Sequence, residues 1–188
     1  MHPAVQTVSV RDEVIASTLH GSHLTRCIQC GTCGGSCPNS SEMDYTPRQM
    51  IGMVLAGMED EVLASNTMWK CVSCYFCTSR CPQEIPITEI MYTLKRMAIR
   101  RGFVGGQDAP ALARAFTENV DRYGRSFELG LASRYYLTQK PGSLMRMAPL
   151  GMAMLHHGRM SLRPTKIREL GQLQAIIARA KKLGGGAP

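Results

Sequence analysis

The chain has 188 residues, of which 44% are hydrophobic and 19% are charged, a balance typical of a globular protein rather than a disordered segment or a coiled coil. Its longest apolar stretches, at residues 50–58 and 147–155, are much shorter than the roughly 18 residues that a membrane-spanning helix needs. Arg11, Asp12 and Glu13 interrupt the region where a secretory signal would carry its apolar core. We therefore expect neither a membrane span nor secretion.

The first half of the chain predicts three helices. The first covers residues 8–19, because apolar residues recur there at helical spacing. The residues of this apolar face are Val10, Val14, Ile15 and Leu19. Further on, Thr46 is the predicted N-cap of a helix that has Pro47 in its first turn and ends at Gly57. A short helix with acidic residues at its start is predicted over residues 59–65.

The second half predicts three more helices and an irregular stretch between them. Thr88 is the predicted N-cap of a helix over residues 89–101 that ends at Gly102. Asp108 is the predicted N-cap of the next helix, which stops near Gly124. From residue 140 the chain is rich in Met and interrupted by prolines, which disfavour compact helical packing. Thr165 then caps a final amphipathic helix that ends in the Gly run at 184–186.

All eight cysteines fall into two copies of one motif, C-x2-C-x2-C-x3-C-P. The first copy consists of Cys27, Cys30, Cys33 and Cys37 followed by Pro38, and the second of Cys71, Cys74, Cys77 and Cys81 followed by Pro82. Bacterial ferredoxins use this run to bind [4Fe–4S] clusters. Structural zinc sites use spaced pairs of cysteines, and disulfides are typical of secreted chains. We therefore predict two [4Fe–4S] clusters rather than zinc or disulfides.

The spacing within each copy predicts crossed ligation. Three cysteines at intervals of three wrap one face of a cubane, whereas the fourth cysteine binds the other cluster. The predicted ligands of cluster 1 are Cys27, Cys30, Cys33 and Cys81. The predicted ligands of cluster 2 are Cys71, Cys74, Cys77 and Cys37. Crossed ligation ties the two loops together, so the metal centres are expected to form part of the core.

Few β-branched residues alternate along the chain, so the predicted fold class is all-α, with an α-helical ferredoxin-like domain that carries both clusters. The 33 residues between Cys37 and Cys71 leave room for two helices, which distinguishes this chain from a minimal bacterial ferredoxin. We predict an N-terminal helical segment over residues 1–23, the dicluster domain over 24–125, and a basic extension over 126–188 that ends in an amphipathic helix.

Charge is distributed unevenly along the chain. Residues 1–94 contain five Lys and Arg against nine Asp and Glu, whereas residues 95–188 contain seventeen against five. Only residues 95–96 and 100–101 form a dense basic group, so we expect no nucleic-acid binding. The basic half is expected to dock on an acidic protein partner or to compensate the negative charge of the clusters.

Residues 24–102 resemble the C subunit of heterodisulfide reductases. The resemblance is carried by the two cysteine motifs, the helical spacer and the Ile85-Pro86-Ile87 sequence before a basic helix. More distant relatives are the iron–sulfur subunits of succinate dehydrogenase and glycolate oxidase. The resemblance implies a cytoplasmic hetero-oligomeric complex in which this chain relays electrons between two other subunits. One is an A-like subunit with flavin and iron–sulfur clusters, and the other is a B-like subunit that handles disulfide or sulfur substrates. The chain contains 16 Arg and only 6 Lys, whereas chains of hyperthermophiles are rich in Lys and Glu. This composition favours a bacterial sulfur-oxidising complex over a methanogen enzyme.

The chain itself is predicted to have no catalytic residues. No cysteine remains for the Cys-Cys-Gly type of site that the B-like chemistry requires, and no motif surrounds His20, His23, His156 or His157. Two alternatives to a heterodisulfide reductase subunit stay open. One is a dicluster subunit of a succinate or glycolate type of dehydrogenase, and the other is a free ferredoxin-type carrier. The long segment after Gly102 favours a subunit, because a free carrier needs no such extension.

Overall fold

The computed structural model describes residues 8–104 and 108–183, and in these two ranges every regular element is a helix. This confirms the predicted all-α fold class. The chain divides into two compact units, Met1–Gly105 and Gly106–Pro188. That boundary lies before the one predicted after residue 125, and the division into 1–23, 24–125 and 126–188 stays a prediction.

The first unit is built around one long helix, α7, which packs against α1, α4, α5 and α6. Its helices are α1 (Val10–Ser17), α2 (Thr32–Gly35), α3 (Pro47–Ala56), α4 (Glu59–Ala64), α5 (Thr67–Lys70), α6 (Phe76–Ser79) and α7 (Ile87–Arg100). Two 3-10 helices, Gly21–Arg26 and Ser40–Glu42, lie between them. Ile90, Leu94 and Met97 of α7 are fully buried in one core with Met50 and Ile51 of α3.

Helix α1 is shorter than the apolar pattern predicted. The hydroxyl of Ser9 caps it by accepting a hydrogen bond from the Asp12 backbone N–H at 3.1 Å. Val10 and Val14 are buried as predicted, but Leu19 lies beyond the end of the helix and is 77% exposed. The chain turns back on α1 at Gly21, where a Cβ would lie only 2.7 Å from the carbonyl oxygens of two α1 residues. Glycine is therefore required by this close approach.

The two predicted helices of the spacer, α3 and α4, form where they were expected, and the spacer also contains the short helix α5. Helix α3 begins with a capping box, because the Gln49 backbone N–H donates to Thr46 Oγ1 and the Thr46 backbone N–H donates to Gln49 Oε1 at 2.8 Å. Pro47 occupies the first turn, and Gly57 ends the helix with φ +75°. Helix α4 then covers Glu59–Ala64 with three acidic residues in its first turn.

Thr88 does not cap α7, which corrects the prediction. The helix begins at Ile87 after Pro86, so Thr88 lies inside it and is only 1% exposed. Its backbone N–H donates to Thr78 Oγ1 at 3.1 Å, and a hydroxyl from another helix thus performs the capping. The predicted end is confirmed, because Gly102 has φ +79° and its N–H donates to the Ile99 carbonyl oxygen at 3.2 Å.

Over residues 108–183 the second unit forms four helices, of which two, α9 and α10, were not predicted. The four are α8 (Asp108–Tyr123), α9 (Glu128–Gln139), α10 (Pro141–His156) and α11 (Leu170–Leu183). Helix α9 packs against both α8 and α10. The Met-rich stretch is also helical, so the expected irregular packing is wrong there. Pro141 takes the first turn of α10, and the helix continues through Pro149.

The final amphipathic helix is present but begins later than predicted. Helix α11 starts at Leu170, five residues after Thr165, which therefore is not its N-cap. Two hydrogen bonds join α11 to α8. Gln174 Nε2 donates to the Asp121 carbonyl oxygen at 3.0 Å, and Lys181 Nζ donates to the Asp121 carboxylate at 3.2 Å. The predicted helix end at 184–186 and the side chain of Asp108 lie outside the described residues. Within the two described ranges, no helix is long and apolar enough to cross a membrane.

Candidate metal centres

The two cysteine motifs adopt the same backbone conformation, which reflects their shared sequence. The residue before the second cysteine has φ +56° in both copies, at Gln29 and Ser73. The residue after it also has positive φ, +83° at Gly31 and +62° at Tyr75. Each loop then enters a four-residue helix, α2 or α6, that carries the third cysteine. The repeated motif therefore folds into two equivalent loops.

The structure brings the eight thiols together as two sets of four. One cavity of about 360 Å³, counting the part that opens to solvent, is lined by Cys27, Cys30, Cys33 and Cys81. A second cavity of about 390 Å³ is lined by Cys37, Cys71, Cys74 and Cys77. Each cavity thus contains three cysteines of one motif and the fourth cysteine of the other. These are the sets that the cysteine spacing assigns to the two clusters, and the ligation itself stays a prediction.

Apolar side chains separate the two cavities from each other and from the rest of the core. Ile51 and Ile85 lie on the first cavity, and Met91 lies on the second. Ile87, at the start of α7, lines both cavities and is only 2% exposed. One buried side chain therefore stands between the two sets of thiols.

The innermost thiols ionise with difficulty in the absence of a positively charged group. Burial raises the pKa of the Cys33 thiol to about 11, against the opposing effect of the Gly34 backbone N–H, and the charges of Cys77 and Cys27 raise it further. Burial also raises the pKa of Cys77, and the Thr88 hydroxyl opposes this. Cationic iron between such sulfurs compensates both effects, and thiolates are soft ligands that suit iron–sulfur clusters. The donor sets therefore fit two [4Fe–4S] clusters.

Polar side chains approach the cysteine sulfurs at both sites, and none of these contacts was predicted from the sequence. Gln29 Nε2 donates to Cys27 Sγ at 3.2 Å, and Thr32 Oγ1 lies 3.4 Å from Cys30 Sγ. Thr88 Oγ1 lies 3.6 Å from Cys77 Sγ. The position of Gln29 and Thr32 inside the motif was the available signal for the first two. The contact of Thr88 joins residues eleven apart and depends on how α7 packs against α6.

The four histidines with no surrounding motif line neither of these two cavities. His23 Nδ1 is hydrogen-bonded to the Glu84 carbonyl oxygen at 3.1 Å, and its ring lies 5.5 Å from that of His20. The rings of His156 and His157 lie 5.4 Å apart in the second unit. Among the residues that the structure describes, no three or more His, Cys, Asp or Glu side chains are grouped tightly enough to hold a single metal ion.

Comparison with known proteins agrees with this geometry. Residues 23–85 match the family described as 4Fe-4S dicluster domain. The chain is 44% identical over 79 residues to the C2 subunit of the H(2)/formate:CoB-CoM heterodisulfide,ferredoxin reductase of Methanococcus maripaludis, which is 42% of each chain. It is 46% identical over 76 residues to the second iron-sulfur C subunit of the CoB--CoM heterodisulfide reductase of Methanocaldococcus jannaschii, which is 40% of each chain.

These matches cover less than half of the length of each relative, and less than half of this chain. Both relatives come from methanogens, and the prediction of a bacterial sulfur-oxidising origin stays a prediction. The matched family and the two cavities agree on the cofactor, which is a pair of [4Fe–4S] clusters. The chain therefore contains a 4Fe-4S dicluster domain and, over that domain, is a homologue of the heterodisulfide reductase C subunits.

Proposed function

We propose that this chain is the electron-transfer subunit of a heterodisulfide reductase or a related complex, and that it relays electrons between an A-like and a B-like subunit. The observation that carries the proposal is the pair of four-thiol cavities separated by the side chain of Ile87. Two redox sites that share one wall suit a relay. The names of the relatives, which are subunits of larger reductases, support the same role.

The ligands in this proposal are the crossed sets. Cys27, Cys30, Cys33 and Cys81 bind cluster 1, and Cys71, Cys74, Cys77 and Cys37 bind cluster 2. Bound [4Fe–4S] clusters supply one-electron redox chemistry at potentials set by their surroundings. The residues of the chain hold the clusters, exclude water with apolar walls such as Ile51 and Met91, and donate hydrogen bonds to sulfur. No catalytic residue is assigned to the chain, because the bond chemistry belongs to the B-like partner.

The second unit supports docking on a partner protein. Residues 106–188 contain thirteen Lys and Arg against five Asp and Glu, which favours an acidic partner surface. Helix α10 also exposes Met145, Leu150 and Met152. Exposed methionines adapt to the shape of a partner, so an exposed Met-rich helix face suits a protein interface.

A cytoplasmic location is part of the proposal. Eight thiols committed to iron–sulfur clusters require a compartment that keeps cysteines reduced.

The proposal is tested by purifying the chain from its native host under anaerobic conditions with an affinity tag, and by identifying the proteins that accompany it. We expect A-like and B-like subunits in fixed ratio, and reduction of the clusters when the electron donor of the A-like subunit is added. A Met152→Asp variant should weaken this association. The matched control is Leu19→Asp, which changes another exposed apolar residue, in the first unit.

Two results would contradict the proposal. Purification of the chain alone, with both clusters bound, would favour the free ferredoxin-type carrier. Association with a flavin-containing dehydrogenase that lacks a B-like subunit would favour the succinate or glycolate type of dehydrogenase.

A further inference from the structure

The two sites differ in the side-chain hydrogen bonds that reach their sulfurs. At the first site, the Gln29 amide donates to Cys27 Sγ at 3.2 Å, and Thr32 Oγ1 lies 3.4 Å from Cys30 Sγ. At the second site, the corresponding contact is made by Thr88 Oγ1 at 3.6 Å from Cys77 Sγ. That hydroxyl also lies 3.1 Å from Thr78 Oγ1, and either oxygen can be the donor of this pair. The side-chain contacts to sulfur are therefore shorter at the first site, and one of them comes from an amide N–H, which can only donate.

Solvent exposure does not distinguish the two sites. The second cysteine of each motif is exposed and the other three are half-buried. The apolar residues after the first cysteine, Ile28 and Val72, are both 61% exposed. A difference in potential between the clusters must therefore come from hydrogen bonds or charge, which are the other determinants.

Charged side chains lie near both sites. Arg48 lines the first cavity, and Lys95 Nζ lies 3.4 Å from the Cys71 carbonyl oxygen at the second. At the second site, the Glu89 carboxylate accepts a hydrogen bond of 2.7 Å from the hydroxyl of Tyr75 on the cavity wall. A negative charge there opposes addition of an electron.

Gln29 is held where its amide reaches sulfur. Its backbone has φ +56°, and its side chain lies over Gly52 of α3, where a Cβ would approach the amide to 3.4 Å. The equivalent residue of the second motif, Ser73, has the same φ. Serine has no side-chain amide, so the two loops share a conformation but differ in this donor.

We propose that Gln29 raises the reduction potential of cluster 1 above that of cluster 2. A hydrogen bond to sulfur stabilises the reduced state, which is the more negative one, more than it stabilises the oxidised state. One electron shared between the two sites then resides mainly at the first site. Within the proposed function, on which this inference rests, electrons enter the chain at cluster 2, pass to cluster 1 because its potential is higher, and leave the chain from cluster 1.

The test is an EPR-monitored redox titration of the anaerobically prepared holoprotein, with dithionite as the electron donor. The reaction at each site is the addition of one electron, in which no bond to a ligand forms or breaks. A Cys30→Ser variant identifies the signal of cluster 1, since Cys30 belongs to the first site under crossed or local ligation. Gln29→Met removes the donor at nearly constant size, and Ser73→Met makes the matched change at the equivalent backbone position.

We expect Gln29→Met to make reduction of cluster 1 about tenfold less favourable, which is about 60 mV because a one-electron couple shifts by about 59 mV for each factor of ten. Cluster 2 should keep its potential, Gln29→Glu should shift cluster 1 further in the same direction, and Ser73→Met should leave cluster 1 unchanged. An unchanged potential of cluster 1 in Gln29→Met, or an equal shift of both clusters, would overturn the inference alone. A wild-type protein without two [4Fe–4S] signals would overturn the proposed function as well.

Discussion

Crossed ligation makes a reciprocal prediction for the fourth cysteine of each motif. Cys37 lines the cavity of Cys71, Cys74 and Cys77, although it belongs to the first motif. Replacing Cys37 by Ala should therefore remove one of the four thiolates of cluster 2 and leave cluster 1 complete. Cys81→Ala is the matched change in the other motif and should damage cluster 1.

Iron content gives the magnitude of this effect. Two complete clusters correspond to about eight iron atoms per chain, so the loss of one site leaves about four. The double variants are more decisive than the single ones. Cys37→Ala with Cys74→Ala removes two ligands of the same site and should still leave about four iron atoms. Cys37→Ala with Cys30→Ala removes one ligand from each site and should leave almost none.

The assay is iron and acid-labile sulfide analysis of anaerobically purified variants, combined with EPR of the reduced proteins. Local ligation would exchange the results of the two double variants, because Cys37 and Cys30 would then belong to one site. That exchange would refute the crossed sets. Far-ultraviolet circular dichroism of each variant serves as a control for folding.

Three further predictions concern the stability of the fold. The Arg101 guanidinium donates to Glu59 Oε2 at 2.9 Å, to Glu13 Oε2 at 3.2 Å and to the Val8 carbonyl oxygen at 2.9 Å. Arg101→Met should therefore lower the free energy of unfolding by about 2 kcal/mol, measured by anaerobic denaturant titration. An unchanged midpoint would contradict this. In Gly57→Ala the added Cβ meets no atom within 4 Å, but the residue has φ +75°, which is unfavourable for alanine. The variant should therefore be destabilised by about 1 kcal/mol, whereas Gly171→Ala inside α11 should not be destabilised. Removal of the clusters by chelation should expose Trp69, the single tryptophan, which packs against the core together with five of the cysteines. Its fluorescence maximum should then shift to longer wavelength, and an unshifted maximum would show that the core survives without iron.

The sequence alone was sufficient wherever the determinants are local. The cysteine spacing predicted both thiol sets, because the distance between neighbouring ligands within each set of three is limited by a few residues of backbone. Thr46, Pro47 and Gly57 predicted α3 correctly, since a capping box, a first-turn proline and a glycine at positive φ act within one helix. The all-α class followed from the predicted helices and from the scarcity of alternating β-branched residues.

Features that depend on packing between distant residues required the tertiary structure. Thr88 has the sequence of an N-cap, yet α6 supplies the hydroxyl of Thr78 to its N–H and α7 buries its side chain. Pro149 has the sequence of a helix breaker, yet α10 continues through it and packs against α9. Local preferences of this kind amount to about 1–3 kcal/mol, which contacts made elsewhere in the fold can exceed.

The site shows the same division between local and tertiary determinants. The two sets of thiols could be predicted from the cysteine spacing, but the position of Ile87 between the two cavities follows from where α7 begins relative to both loops. The two motifs are equivalent in spacing and backbone conformation, so the sequence pattern alone treats the two sites as alike. They become different only through side chains whose reach depends on the fold, namely the amide of Gln29 over Gly52 and the carboxylate of Glu89 behind Tyr75. Spacing thus predicted the two sets of thiols, whereas packing decided what surrounds each cavity, because hydrogen bonds and charges act through space rather than along the chain.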